Sequence, residues 1–243
     1  MGKNTFLGFS SFDSVRILSS TRSEGNMRLN DGEDQSLGSQ SLRNAFFSKT
    51  GIPISSVVSA QLSHSITIAR VTKANGGTIV RNVDGLITNE RELYLTVTAA
   101  DCLPVMFLSQ DPRAIALVHA GWRGLRDGIL SNLVTTFQKE FRVAAESLLA
   151  EIGPGICVDH YRFPEAATVF KSIPQSYKEY SDGLHLSLQV LARQQLLSAG
   201  IPPDCITASA DCTYENAARY FSYRRDHSAV LSANLYGISL RRA

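Results

Sequence analysis

The sequence lacks any run of about 18 consecutive apolar residues, the length that a membrane-spanning helix requires. It also lacks a charge excess, since 24 lysines and arginines face 22 aspartates and glutamates. A balanced charge gives no attraction toward nucleic acid or an anionic membrane, so we expect neither as a partner. The opening residues MGKNTFLGFSSFDSV lack the basic-then-apolar order of a secretory signal. We therefore expect a cytoplasmic protein with a small-molecule substrate.

Cysteine and histidine are also scarce, and neither forms a dense motif. The four cysteines, at positions 102, 157, 205 and 212, include no Cys-x-x-Cys pair and lack the density of a disulfide scaffold. We expect reduced thiols. The five histidines, at positions 64, 119, 160, 185 and 227, include no His-x-His pair. This argues against the several histidine-rich sites that copper-based oxidation of phenols requires.

The composition that remains is typical of a globular protein, with 243 residues of which 44% are hydrophobic and 19% charged. That length suits one large domain, and we expect residues 1–243 to form it. Residues 19–41 are rich in Ser, Gly, Asn and Asp and nearly free of large apolar side chains. This composition predicts a long loop, and long loops in globular proteins are often functional.

Apolar and β-branched runs predict the strands, and apolar residues at helical spacing predict the helices. The strand runs are VVSA, SITIARV, GTIV, LYLTVTA, PVMFL and AIALVHA. We expect a short helix around SLRNAFFSKTG and further helices near residues 122–141, 164–172 and 186–199. The predicted fold class is therefore mixed α and β, a layered sandwich of antiparallel and mixed sheet with the helices outside.

The stretch TAADCLPVMFLSQDPRAIALVHAGWRG places a cysteine and a histidine at the two ends of a predicted hairpin. Its Asp-Pro pair favours a turn between the two apolar runs. If the turn is centred between Gln110 and Asp111, Cys102 and His119 are direct cross-strand neighbours, with β-carbons about 4.5–5.5 Å apart. Such a pair suits two ligands of one metal ion. A register slip of one residue would instead put the two side chains on opposite faces.

A stable zinc site needs a third ligand, and His64 is the candidate because it precedes the run SITIARV on a predicted strand. The alternative is that all three side chains are buried structural residues. Asp101, beside the thiol of Cys102, is a candidate for orienting the cysteine or handling a proton. A turn or helix-cap role is the alternative for Asp101.

A helix is predicted to begin directly after His119, because Ala120 and Gly121 allow a sharp turn into the amphipathic segment WRGLRDGILSNLVTTFQKEF. The first-turn amides and the positive end of the helix dipole favour an anion such as phosphate. Arg123 lies in this first turn and is a candidate phosphate ligand. A surface cation is the alternative interpretation.

Four motifs resemble those of the YfiH-like family, also called the polyphenol oxidase or laccase-domain family. They are TAADCLPV, HAGWRGL, GPGI followed by Tyr161, and DCTYEN with YFSYRRD; with SSTR, GNM and DGLIT the pattern covers nearly the whole chain. The resemblance implies a YfiH-like fold and a zinc ion held by His64, Cys102 and His119. An open fourth coordination position is typical of catalytic zinc. The family's usual Gln-Val-His-Gly around the first ligand is replaced here by LSHS.

The resemblance also implies purine nucleoside chemistry, namely cleavage of adenosine, inosine, guanosine or methylthioadenosine by phosphate and deamination of adenosine. Purine nucleosides and phosphate are then the expected partners. Zinc would activate water for attack on C6 of adenine, with Cys102, His119 and Asp101 as the candidate catalytic residues. Phosphate must be held against C1′ of the ribose, which calls for guanidinium groups. The candidates are Arg22, Arg123, Arg224 and Arg225, each of which can instead be solvated or salt-bridged.

Two other classes of function stay open at this point. Cys102 can serve as a covalent nucleophile with His119 as its base, in a hydrolase of amides or cell-wall precursors. The nucleophilic mechanism needs no His64. A thiolate bound to zinc is a poor nucleophile, so the zinc mechanism and the nucleophilic mechanism exclude each other. A requirement for His64 therefore discriminates between them. The second class is a non-catalytic binding module, in which removal of Cys102 should have little effect on function.

Overall fold

Two β-sheets lie face to face, and helices cover their outer surfaces. The computed structural model describes residues 8–9, 12–29, 36–227 and 231–242. Its strands are β1 (Val15–Ser19), β2 (Val57–Gln61), β3 (Ile68–Arg70), β4 (Ile79–Arg81), β5 (Gly85–Thr88), β6 (Tyr94–Ala99), β7 (Leu103–Gln110), β8 (Arg113–Ala120), β9 (Leu148–Ile152), β10 (Tyr177–Tyr180), β11 (Gly183–Leu186), β12 (Ile206–Ala208) and β13 (Asn234–Leu240). Its α-helices are α1 (Ser36–Thr50), α2 (Trp122–Asp127), α3 (Ile129–Phe141), α4 (Ala166–Val169), α5 (Leu188–Ser198) and α6 (Tyr223–Asp226). In the parts of the chain that these ranges cover, no helix combines the length and apolarity needed to cross a membrane.

Both large sheets mix parallel and antiparallel pairing. The first has the strand order β1-β13-β6-β2-β4, in which β2 runs parallel to both of its neighbours. The second has the order β12-β9-β7-β8-β5-β3, with the antiparallel β7–β8 hairpin at its centre. A small ribbon of β10 and β11 stands apart from both. The predicted fold class, a layered α and β structure with antiparallel and mixed sheets and outer helices, is confirmed.

Three apolar clusters define the layers. The inter-sheet cluster fills the space between the sheets and takes the inward side chains of β7 and β8, among them Met106 and Leu117. The other face of the same hairpin carries Phe107 and packs against α3 and α5. Helix α1 covers the outer face of the first sheet. Because β7 and β8 are buried on both faces, their sequences are nearly continuous apolar runs rather than alternating ones.

The hairpin exists as predicted, but the predicted register is wrong. Asp111 and Pro112 alone form the connection, so Gln110 pairs with Arg113 and His119 lies opposite Pro104. The turn is therefore centred one residue later than expected, and Cys102, just before β7, lies diagonal to His119. The partner of His119 shifts by two residues, and side chains along a strand alternate with a period of two. Both side chains therefore stay on the inter-sheet face.

Three further predicted boundaries need correction. Residues 122–141 form two helices rather than one, because Gly128 adopts a left-handed conformation (φ 92°) that ends α2. Residues 164–172 contain only the short helix α4, whereas α5 lies within the predicted range 186–199. The predicted loop 19–41 already contains the start of α1 at Ser36, and its residues 30–35 lie outside the described residues. Burial of the apolar end of α1, which includes Phe47, outweighs the weak helix propensity of its serines and glycine.

The packing of α3 on the hairpin gives a test of this layering. Phe137 is fully buried, with its ring 6.3 Å from that of Phe107. Replacing Phe137 with alanine should lower the free energy of unfolding by about 3–5 kcal/mol, because the cavity that remains cannot collapse fully. The control Thr135→Ala, on the exposed side of the same helix, should change it by less than about 0.5 kcal/mol. Urea unfolding would measure both, and equal midpoints for the two variants would contradict the layering described here.

Candidate metal centre

Three side chains from distant segments converge at the rim of the inter-sheet cluster. His64 lies in the loop between β2 and β3, Cys102 immediately precedes β7, and His119 is near the end of β8. One nitrogen of each histidine and the cysteine sulfur all lie within 4.8 Å of one another. The two imidazole rings meet edge to face with centroids 5.0 Å apart. Two imidazoles and a thiolate form a donor set that fits a zinc-like ion.

His64 does not lie on a strand as predicted, because its backbone is in the left-handed region (φ 57°). The carboxylate of Asp84 stabilises this conformation by accepting hydrogen bonds from three consecutive backbone amides. The distances from the amide nitrogens of Ser63, His64 and Ser65 to the carboxylate oxygens are 3.2, 3.0 and 2.7 Å. The loop therefore curls around a buried anion, and this curl directs the His64 ring toward Cys102.

Asp84 also orients the second histidine. Its carboxylate lies 3.0 Å from Nδ1 of His119, and its backbone oxygen accepts the His119 amide at 2.8 Å. A carboxylate partner on Nδ1 leaves Nε2 as the metal-binding atom and fixes the ring orientation. The DGLIT motif was recognised in the sequence, but no role was predicted for its aspartate, Asp84. The available signal was an aspartate placed directly before the short strand β5, whose four residues are all buried.

The charges around Cys102 favour its thiolate form, which can bind a cation. Burial alone would raise the pKa of Cys102, but the imidazoles of His119 and His64 lower that pKa to about 6. Burial likewise opposes protonation of His119, yet Cys102 and Asp84 raise the pKa of His119 to about 10. Burial also opposes ionisation of Asp84, while His119 and Ser65 lower its pKa to about 2. Near neutral pH the sulfur is therefore a thiolate, the form that binds metals.

Gly121 leaves the space that the sulfur occupies. A β-carbon at this position would lie 2.9 Å from Sγ of Cys102 and 3.4 Å from Cδ2 of His64. The first of these separations is shorter than any normal contact, so a side chain here would displace one of the three ligands. The glycine of the HAGWRG motif thus provides room for the sulfur in addition to the turn that the sequence predicted.

Asp101 connects the cysteine to two other segments. Its Oδ1 accepts a hydrogen bond from the hydroxyl of Thr213, and its Oδ2 accepts one from the backbone amide of Arg224, both at 2.7 Å. Asp101 is buried and has a positive φ of 82°. Both carboxylate oxygens are thus engaged, which fixes the residue that precedes Cys102. The predicted roles of Asp101 in orientation or proton handling stay predictions.

A cavity of about 510 Å³ opens beside the three ligands. Its size is within the range of about 300–1,000 Å³ for small-molecule sites. Three aromatic side chains form one wall, with ring centroids 5.0 Å apart for Trp122 and Phe163 and 6.0 Å apart for Tyr161 and Phe163. Burial raises the pKa of Tyr161 above its usual value. The cavity therefore joins the three candidate metal ligands to an aromatic wall.

The four predicted arginines separate into two pairs. Arg123 and Arg224 line the cavity, with guanidinium groups over the rings of Trp122 and Tyr161 at 4.6 and 5.1 Å. Arg22 and Arg225 are not among the lining residues. Arg22 forms an ion pair with Asp226, and all five N–H groups of Arg225 have acceptors, on Asp226 and the backbone oxygens of residues 213, 214 and 220. Sequence reasoning missed Arg28, a third lining arginine, although it directly follows the quoted GNM motif.

The dependence on Asp84 can be measured through metal affinity. Asp84→Asn replaces an acceptor-only carboxylate with an amide whose NH₂ group must face N–H donors. We expect zinc affinity to fall on the order of 10–100-fold, as is typical when the partner of a histidine ligand is lost. Competition with a chromophoric chelator would measure it. The control Asp127→Asn changes an exposed aspartate paired with Arg126 and should leave the affinity unchanged; an equal affinity in both variants would contradict the role given to Asp84.

Proteins of known name or known structure are similar to this chain. Purine nucleoside phosphorylase YlmD of Geobacillus stearothermophilus is 33% identical over 192 residues, which are 73% of this chain and 70% of that protein. A purine nucleoside phosphorylase of Xylella fastidiosa is 32% identical over 181 residues, which are 70% of this chain but only 63% of that protein. The crystal structure of YlmD superposes with a TM-score of 0.86 at 29% identity, covering 95% of this chain and 93% of that one.

The crystal structure of YfiH from Bacillus licheniformis is also similar, with a TM-score of 0.80 at 26% identity, covering 89% of this chain and 85% of that one. A family profile described as multi-copper polyphenol oxidoreductase laccase matches residues 18–233. This match extends over most of the chain and includes all three converging ligands. The chain therefore belongs to this laccase-like family, the YfiH family that its motifs resemble.

Proposed function

We propose that the protein is a zinc-dependent purine nucleoside phosphorylase that also deaminates adenosine. The observation that carries this proposal is one cavity in which three candidate metal ligands, an aromatic wall and three arginines meet. The names of the similar proteins from Geobacillus and Xylella support the phosphorylase activity. The proposed substrates are adenosine, inosine, guanosine and methylthioadenosine, together with phosphate. We also propose one domain over residues 1–243 and a cytoplasmic location, which the free cysteines support.

His64, Cys102 and His119 would hold the metal. Zinc is proposed because one thiolate and two imidazoles leave an open position, as catalytic zinc sites do. Copper also accepts these donors, and the family description names it, so direct metal analysis decides between the two ions. A bound zinc ion would supply a hydroxide nucleophile at neutral pH for attack on C6 of adenine.

The aromatic wall suits the purine base. Trp122, Tyr161 and Phe163 line the cavity, and offset or tilted stacking of aromatic side chains with a planar ring is favourable. A base held against this wall lies in the same cavity as the metal ligands. The protein's own contribution to the chemistry is thus to orient the base and to exclude water from most of its surface.

Phosphate has a separate set of partners in the cavity. Arg123 forms no ion pair with any described residue and lies over Trp122, so its N–H groups are available to an anion. Arg28 and Arg224 line the same cavity. Guanidinium groups bind phosphate bidentately and stabilise the charge that develops as the glycosidic bond breaks. Phosphorolysis and deamination can therefore use different groups of one site.

A cysteine hydrolase is the second candidate, and one observation favours it. Asp84, His119 and Cys102 form a chain in which a carboxylate orients an imidazole beside a thiolate, as an activated nucleophile requires. His64 has no part in that mechanism. Its ring does, however, lie beside the same sulfur and contributes to the lowered pKa of Cys102. Substitution of His64 therefore separates the candidates.

We expect His64→Ala to lower bound zinc by about one ion per chain and to remove adenosine deamination with it, because two ligands hold zinc poorly. The control His227→Ala, an exposed histidine outside the cavity lining, should retain both metal and activity. Metal analysis and chromatography of adenosine and inosine, with and without phosphate, would measure the outcome. Retained turnover in His64→Ala, with rapid alkylation of Cys102 in metal-loaded wild type, would favour the hydrolase instead.

Substitutions of two arginines on helix α2 provide a test of phosphate binding. Arg123 and Arg126 both lie over the Trp122 ring, but Arg126 is exposed and paired with Asp127. Arg123→Ala should raise KM for phosphate about tenfold or more, since a charge-assisted hydrogen bond contributes about 1.5–3 kcal/mol. Arg126→Ala should not raise it, and deamination, which uses no phosphate, should lose less than phosphorolysis in Arg123→Ala. Similar KM values for the two variants would contradict the assignment of Arg123.

A further inference from the structure

A second group of metal-binding side chains lies apart from the cavity lining. It consists of Cys157, His160, Cys212 and Glu215, whose donor atoms all lie within 4.8 Å of one another. The sequence places them as Cys-x-x-His and Cys-x-x-Glu, two short motifs separated by more than fifty residues. None of the four lines the cavity beside His64. We refer to them as the second cluster.

The backbone brings the two motifs together without help from an ion. Gly155 and Cys212 form a parallel bridge, and the amide of Thr213 donates to the Gly155 oxygen at 3.0 Å. The amide of Cys157 donates to Sγ of Cys212 at 3.2 Å. A 3₁₀ turn over Val158–His160 then returns the His160 side chain to the same side as Cys157. The four donors are thus held by secondary structure on both segments.

The spacing of the donors matches that of ligands around one ion. Sγ of Cys157 lies 3.1 Å from Nδ1 of His160 and 3.8 Å from Oε1 of Glu215. Nδ1 of His160 lies 3.5 Å from the same Glu215 oxygen. Zinc bonds of about 2.3 Å to sulfur and about 2.0–2.2 Å to nitrogen or oxygen place tetrahedral ligands about 3.3–3.8 Å apart. Only small adjustments separate the observed positions from that geometry.

The surroundings orient the ligands and leave one side accessible. The His160 ring stacks on Tyr214 with centroids 4.3 Å apart and an interplanar angle of 16°, which fixes the direction of Nδ1. Cys212 is 5% exposed, whereas the Glu215 side chain is 58% exposed. An ion can therefore reach the buried sulfur from solvent past the glutamate.

We propose that the second cluster binds a divalent zinc-like cation through Cys157, His160, Cys212 and Glu215. Two sulfurs, one nitrogen and one oxygen form a complete tetrahedral set, which is typical of structural rather than catalytic zinc. Binding replaces the two thiol protons, which leave to solvent, and involves no redox step. The ion joins residues 157–160 to residues 212–215.

This junction lies behind one wall of the cavity. Tyr161, which follows His160, lines the cavity, and Thr213, which follows Cys212, donates its hydroxyl to Asp101. An ion in the second cluster therefore holds in place two segments that shape the nucleoside site, without contact with a ligand in that site. Its effect is on the rigidity of the wall.

The experiment uses His64→Ala protein, in which the centre at the cavity is disabled, and Co²⁺ or Zn²⁺ as the probe. Thiolate-bound Co²⁺ absorbs in the near ultraviolet by charge transfer, and tetrahedral Co²⁺ has intense visible bands. We expect His64→Ala protein to retain about one zinc per chain after gel filtration and to give this cobalt spectrum. Adding Cys157→Ser or His160→Ala should abolish both signals and the stabilisation of thermal unfolding by zinc. Cys205→Ser, a cysteine outside both clusters, should change neither.

Cys212→Ser is a weaker test because it also removes the acceptor of the Cys157 amide, so the two more exposed ligands are used instead. The proposal is overturned if His64→Ala protein binds neither ion, or if Cys157→Ser leaves the cobalt spectrum unchanged. A Cys157–Cys212 disulfide found by mass spectrometry in protein purified and kept in a thiol reductant would also overturn it. Since these readouts need no turnover, they are independent of the proposed nucleoside activity.

Discussion

The candidate site depends on one buried carboxylate. Asp84 has no exposed surface, and an unpaired carboxylate in such a position would be strongly destabilising. Its charge is balanced by the His119 ring on one side and by the amides of residues 63–65 on the other. Two of the three proposed metal ligands are thus arranged around the same anion. The geometry of the site follows from the need to solvate that anion inside the protein.

The sandwich supplies the rigid support for this arrangement. Strands β7 and β8 are covered by the other sheet on one face and by helices on the other, so neither can shift without disturbing two apolar clusters. Cys102 and His119 sit at the end of this hairpin, where the buried core meets the cavity. His64 and Arg28 lie on loops, whereas Arg123 and Arg224 lie in the short helices α2 and α6. Functional residues on loops that a rigid scaffold positions are common in binding and catalytic sites.

Local sequence patterns predicted the parts of the fold that depend on burial. Continuous apolar runs identified β7 and β8, and the period of two kept Cys102 and His119 on one face even though the register was wrong. Local patterns could not predict the conformation of His64, because a carboxylate twenty residues later in the chain determines it. The resemblance to the YfiH-like family supplied the ligand set, but no local signal distinguishes a cavity arginine such as Arg123 from Arg225. Only the tertiary structure shows that Asp226 already engages Arg225.

The hydrogen bond from Thr213 to Asp101 has a consequence for the whole molecule, since each partner directly follows or precedes a cysteine of a different cluster. One hydroxyl and one carboxylate thus form a hydrogen-bonded path between the segments that carry two cysteines with separate surroundings. Coupling free energies between sites are reciprocal. If ions occupy both clusters, whatever factor an ion in one cluster adds to the affinity of the other is returned unchanged in the opposite direction.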